Sequence, residues 1–94
     1  MTFEEFKASL SKENPPSELN RTLQALWQDA KGDWDTAHRL AQSVDSTDGA
    51  WVHAYLHRKE GDLSNASYWY SRANQKMLQQ SLAEEWAQIV QTLL

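Results

Sequence analysis

The sequence predicts an all-α fold made of short helical hairpins stacked side by side. Three observations point there. Only three glycines and two prolines interrupt 94 residues rich in Ala, Leu, Gln, Glu and Lys, a composition that favours helix. Apolar residues recur at helical spacing along most of the chain, with no strand-like alternation of useful length. The chain also repeats itself at a spacing of 29 residues, Gly32-Asp33 answering Gly61-Asp62.

The elements follow in order. Residues 2–13 begin with Thr2 and Glu5, a capping-box pair. Phe3, Phe6 and Leu10 give them a narrow apolar stripe. Asn14-Pro15-Pro16 ends this helix, because proline cannot sit in a helix interior and biases the preceding residue away from it. Ser17 is the expected cap of the second helix, with Glu18 in its first turn. Leu19, Leu23, Leu26, Trp27 and Ala30 mark its buried face as far as Lys31. Gly32 closes it, and Asp33 caps a third helix with Trp34, Ala37, Leu40, Ala41 and Val44 on one side. Residues 45–49 read as a turn. Residues 50–60 carry Ala50, Trp51, Val52, Ala54, Tyr55 and Leu56 around most of the circumference, which marks a central helix contacted on several sides. Gly61 and Asp62 repeat the turn, and Leu63, Ala66, Trp69, Tyr70 and Ala73 form the next stripe, with Asn74 at its end. The segment 75–80 is open between loop and helix. Ser81 with Glu84 starts a sixth helix carrying Leu82, Trp86, Ile89, Val90 and Leu93.

The repeat sets the domain organisation. Ala25, Gly32, Asp33 and Ala37 match Ala54, Gly61, Asp62 and Ala66 by identity. Gly32-Asp33-Trp34-Asp35-Thr36-Ala37 and Gly61-Asp62-Leu63-Ser64-Asn65-Ala66 resemble the turn and second-helix start of tetratricopeptide repeats. The resemblance implies a protein-binding α-solenoid fragment. It is read as one domain over 1–94: an N-terminal helix and proline break (2–16), repeat one (17–45), repeat two (46–74) and a C-terminal capping helix (75–94). The unit is shorter than the family's ~34 residues, and two units are fewer than the three or so such stacks need. The flanking helices are therefore expected to supply the missing burial. Gly32, Asp33, Gly61 and Asp62 are structural turn residues, the glycines because a tight helix–helix turn favours a left-handed residue.

Composition narrows the function. Nine Lys and Arg stand against 13 Asp and Glu, a net charge of −4, without a basic block, so nucleic acid is not an expected partner. There is no cysteine, which removes thiolate catalysis and Cys-ligated metals. No apolar run approaches the ~20 residues of a membrane span, and no secretory signal is visible at the N-terminus. The expectation is a cytoplasmic protein that binds no membrane. No Gly-x-Ser-x-Gly elbow or phosphate-binding glycine loop occurs, so no catalytic residue, cofactor or enzymatic activity is assigned.

The expected function is a non-enzymatic protein–protein interaction module. Its partner face would carry Trp51, Tyr55 and Arg58, since Trp51 lies off the Val52–Leu56 direction and aromatic–Arg clusters make binding hot spots. A small-ligand or metal-binding role is the alternative. His53 and His57 stand one helical turn apart with Glu60 close to the same face, a metal half-site by spacing. Lacking a further ligand, these histidines read first as solvated or hydrogen-bonded surface residues, and no metal is assigned. A homodimer formed through exposed apolar surface is the third reading.

Overall fold

A computed structural model of the chain describes residues 1–77 and 79–94. Six helices occur among them: α1 (Phe3–Ser9), α2 (Arg21–Ala30), α3 (Trp34–Gln42), α4 (Thr47–Glu60), α5 (Leu63–Arg72) and α6 (Leu82–Leu93), with no strand. The described residues of segment 75–80 lie outside any helix, and position 78 is not among them.

Local chemistry explains the ends. Thr2 and Ser81 each accept a hydrogen bond from the backbone N–H three residues on, and the Glu5 and Glu84 carboxylates each accept one from the N–H of the cap residue. The two Gly-Asp turns are built alike. Gly32 and Gly61 lie in the left-handed region, at φ 89° and 91°. Just beyond them, the Asp33 N–H donates to Gln28 O at 2.9 Å and the Asp62 N–H to His57 O at 3.0 Å. These bonds satisfy late-helix carbonyls at equivalent places in both units. The same aspartates then cap α3 and α5. Asn74, at φ 57°, repeats the left-handed position after α5.

Three boundaries depart from expectation. α1 stops at Ser9, not residue 13. There the hydroxyls of Ser9 and Ser11 donate to the carbonyls of Phe6 and Ala8, and the backbone tightens into i→i+3 bonds from Leu10 to Lys12. Serine's competition for backbone carbonyls disfavours helix continuation. α2 starts at Arg21, capped by Asn20 rather than Ser17: the Leu23 N–H donates to Asn20 Oδ1 at 3.0 Å. Leu19 is buried ahead of the helix, not on its first turn. The third departure is α4, which takes in Thr47, Asp48 and Gly49 behind a Ser46 cap.

Gly49 is thus a helical residue, and space explains it. A Cβ there would collide with the Val44 carbonyl oxygen and lie 2.9 Å from the Val44 Cβ. Gly49→Ala should destabilise the fold by about 1–3 kcal/mol, although alanine is the better helix former. Thermal denaturation checks this; an unchanged or raised Tm would contradict it.

α4 is the centre. It packs on α5, α3, α6 and α2, while α2 also pairs with α3 and touches α6. Val52, Ala54 and Leu56 are fully buried, as are Leu26, Ala37 and Ala66. The flanking helices enter the same core through Phe6, Ile89 and Val90. Trp86 of α6 meets Phe3 and Phe6 of α1 with ring centroids 6.0 and 5.8 Å apart. No helix among the described residues is long and apolar enough to cross a membrane.

Candidate functional site

The face expected to receive a partner is consumed internally. Trp51 is 6% exposed and Tyr55 2%. The Tyr55 hydroxyl donates to Asp29 Oδ2 of α2 at 3.0 Å. Burial, with the Asp29 carboxylate beside it, pushes the Tyr55 phenol well above its ordinary range. Arg58 Nη1 donates to Glu85 Oε1 of α6 at 2.8 Å, and Nη2 donates to the Gln80 carbonyl. Tyr70 of α5 donates to the same carboxylate, 2.6 Å from Oε2. Arg58, Glu85 and Tyr70 therefore tie α4, α5 and α6 together. The correction has a plain cause: helical periodicity identifies Trp51 and Tyr55 as sharing a side of α4, but not which helices cover that side.

The histidines also depart from expectation. His53 and His57 are 5% and 6% exposed, not solvated. α3 brings His38 against them, supplying the third imidazole that seemed to be missing. Ring centroids are 4.6 Å apart for His38–His53, 5.1 Å for His38–His57 and 4.8 Å for His53–His57. Ala41, buried on α3, lines a cleft with Ala50 and His53 of α4. Two tryptophans sandwich the group. Trp34 stacks on His38 at 4.8 Å and Trp69 on His53 at 4.0 Å. Trp34 is itself fixed by a 2.9 Å hydrogen bond from Nε1 to Leu56 O. Glu60 places Oε1 2.6 Å from Nδ1 of His57. His38 Nε2 is buried with no hydrogen-bond partner among the described residues.

These surroundings hold two of the rings neutral. Burial lowers His53 to about 4, helped by the proximity of His38 and His57. Burial also lowers His38, with His57 adding to the effect and Glu60 and Asp35 opposing it. Between about 4 and 6.5 the unfolded chain then binds more protons than the folded one. The contribution to stability is complete above pH 6.5 and is lost as pH falls through about 4. The loss amounts to at most about 1.4 kcal/mol per pH unit for each proton taken up. Urea denaturation between about pH 7 and pH 5 checks this: stability should fall with pH, and a level profile would contradict it.

Two of the surface's concave features lie beside these groups. A cleft of about 310 Å³ lies against His53, Trp69 and Arg72, with Val44 and Ser46 across from them. A larger groove of about 500 Å³ lies where α1, α2, α4 and α6 meet. Leu10, Ala30, Leu82, Ala83 and Trp86 give it apolar walls, and Lys7 and Lys59 also line it. Lys59 is paired at 2.8 Å with the buried Asp29 carboxylate; Lys7 lies 4.0 Å from Glu4 and 5.0 Å from the centre of the Phe3 ring. Sequence reading missed this groove because its walls come from four separate helices.

Compared with protein-family models, curated proteins and solved structures, the chain matches none.

Proposed function

We propose that the chain is a cytoplasmic, non-enzymatic interaction module of tetratricopeptide-like helical repeats, and that it receives an apolar segment of a partner protein in the groove between α1, α2, α4 and α6. The observation that carries this reading is the groove itself. It leaves apolar surface of Leu10, Leu82, Ala83 and Trp86 around a cavity of about 500 Å³. A concave, mostly apolar site with few polar groups is the usual form of a binding pocket, and burial of partner side chains there supplies affinity. Lys7, whose contacts among the described residues are a long one with Glu4 and the face of the Phe3 ring, suits an acidic residue beside the partner's apolar side chains. The Gly-Asp turns and the 29-residue repeat support the repeat reading.

Affinity capture from native lysate, beside an Ala83→Arg variant, tests the proposal. Ala83 is exposed on α6, so the variant should keep the wild-type Tm while filling the groove with a charged side chain. Partners held by wild type and lost from the variant are expected. The same captured set with both proteins, or none with either, would contradict the reading.

A further inference from the structure

The three histidines occupy the interface between the two repeat units, away from the groove, and that role as an interaction module makes no use of them. We propose that His38, His53 and His57 form a binding site for one divalent transition-metal ion of the zinc class, with Glu60 orienting His57 from behind.

The donor geometry is the first argument. Each ring offers one nitrogen, and the three nitrogens lie within 4.8 Å of one another. Zinc–imidazole bonds of about 2.0–2.1 Å in a tetrahedral site require nitrogens ~3.3 Å apart. Small shifts of the rings within their own planes can close that difference. The three ligands arrive from two helices, two of them one turn apart on α4, so the backbone already supplies the arrangement.

The second argument is the arrangement behind the ligands. A metal-binding histidine usually gives its other ring N–H to a carboxylate or carbonyl, which fixes the tautomer and raises the basicity of the ligating nitrogen. Glu60 Oε1, 2.6 Å from His57 Nδ1, does this here: with the proton on Nδ1, the Nε2 lone pair is free for a metal. Trp34 and Trp69, stacked on His38 and His53, hold those two ring planes.

The third argument is an unmet bonding need. His38 Nε2 is buried and makes no hydrogen bond among the described residues. Buried polar atoms without a partner are uncommon, and each calls for a reason. Packing alone would be served as well by apolar or singly polar rings. Three imidazoles against one another bring several nitrogen lone pairs and few hydrogen-bond partners, a poor arrangement for a core and a suitable one for a cation.

Donor type selects the metal class. Three imidazole nitrogens with a nearby carboxylate and no thiolate suit zinc, cobalt(II), nickel(II) or copper(II), and do not suit calcium or magnesium, which want oxygen. Neutral imidazoles are the form a metal binds. The cleft of about 310 Å³ against His53 gives an approach from solvent. Arg72, which also lines it, adds a positive charge there, and Glu60, Asp35 and Asp62 supply negative charge around the cluster.

Zinc and cobalt(II) are the probes. Chelator-treated protein is titrated with zinc chloride by calorimetry and by thermal denaturation, with magnesium chloride as control. The site predicts one zinc per chain, a Tm raised by zinc and not by magnesium, and visible cobalt absorption of tetrahedral type. His38→Ala should abolish all three, and Glu60→Gln should weaken zinc affinity about ten- to a hundredfold. Ring NMR of the wild-type protein covers the case in which His38→Ala does not fold: zinc must shift the signals of all three histidines together. No Tm rise and no cobalt spectrum would overturn the proposal, as would a zinc response unchanged in His38→Ala or one confined to a single histidine ring. The groove variant Ala83→Arg should bind zinc as wild type does, so failure of the interaction reading and failure of the metal site are separable.

Discussion

Glu85→Ala is expected to destabilise the protein by about 3–5 kcal/mol, the scale on which removing one partner from a buried ion pair acts. Glu85 is 3% exposed and its carboxylate accepts from Arg58 and from Tyr70. Alanine would leave the Arg58 guanidinium, 16% exposed in its side chain, with only the Gln80 carbonyl as acceptor among the described residues. The Tyr70 hydroxyl, whose own ionisation burial suppresses, would lose its acceptor as well. For a chain this small, with about 5–10 kcal/mol of net stability in total, such a loss approaches unfolding at physiological temperature. Chemical denaturation of Glu85→Ala beside Glu85→Gln measures it. The amide can still accept from one partner and should cost less. Equal and small losses from both would show that α6 is not held by this pair.

The second large effect is Trp27→Ala, expected to cost about 3–5 kcal/mol through the lost apolar burial and the cavity left behind. Trp27 is among the largest fully buried side chains. Its Nε1 donates to Ser9 Oγ at 3.1 Å, the last residue of α1. Trp27→Phe would keep most of the ring volume and remove that hydrogen bond, a loss of roughly 1 kcal/mol. The two variants thus separate packing from the polar tie that seats α1 on α2. If alanine and phenylalanine cost the same, volume is not what Trp27 contributes.

Local signals in the sequence were legible because their physics is local. Thr2 with Glu5, Ser81 with Glu84, and Asp33 and Asp62 behind their glycines all cap the helices expected of them. Each depends on residues within one turn of the chain. Ser17 against Asn20, and the 45–49 turn against the Ser46 cap, show the limit. Several polar residues in a row can each cap a helix, and the choice falls to the tertiary position of Leu19 in one case and the space beside Val44 in the other.

The candidate sites were less legible for the same reason. His53 and His57 could be paired by spacing, since both lie on α4, but His38 joins them only through the packing of α3 on α4. One signal was present: His38 follows Trp34 by one helical turn, close to the buried side of α3, where a solvated histidine would be out of place. Trp51, Tyr55 and Arg58 looked available because the faces of α4 taken by α2 and α6 are not written in its own periodicity. The groove depends on Leu10, Ala30, Ala83 and Trp86, residues spread over α2, α6 and the end of α1, and no single periodicity connects them.

The central claim is that the groove beside Ala83 is the surface on which a partner docks. Site-specific photo-cross-linking in native lysate tests it most directly, with a benzophenone amino acid at position 83 and, as control, at the exposed position 67 on α5. The account predicts discrete cross-linked protein adducts from position 83 and none from position 67. Adducts from position 67 alone, or from neither position, would contradict it.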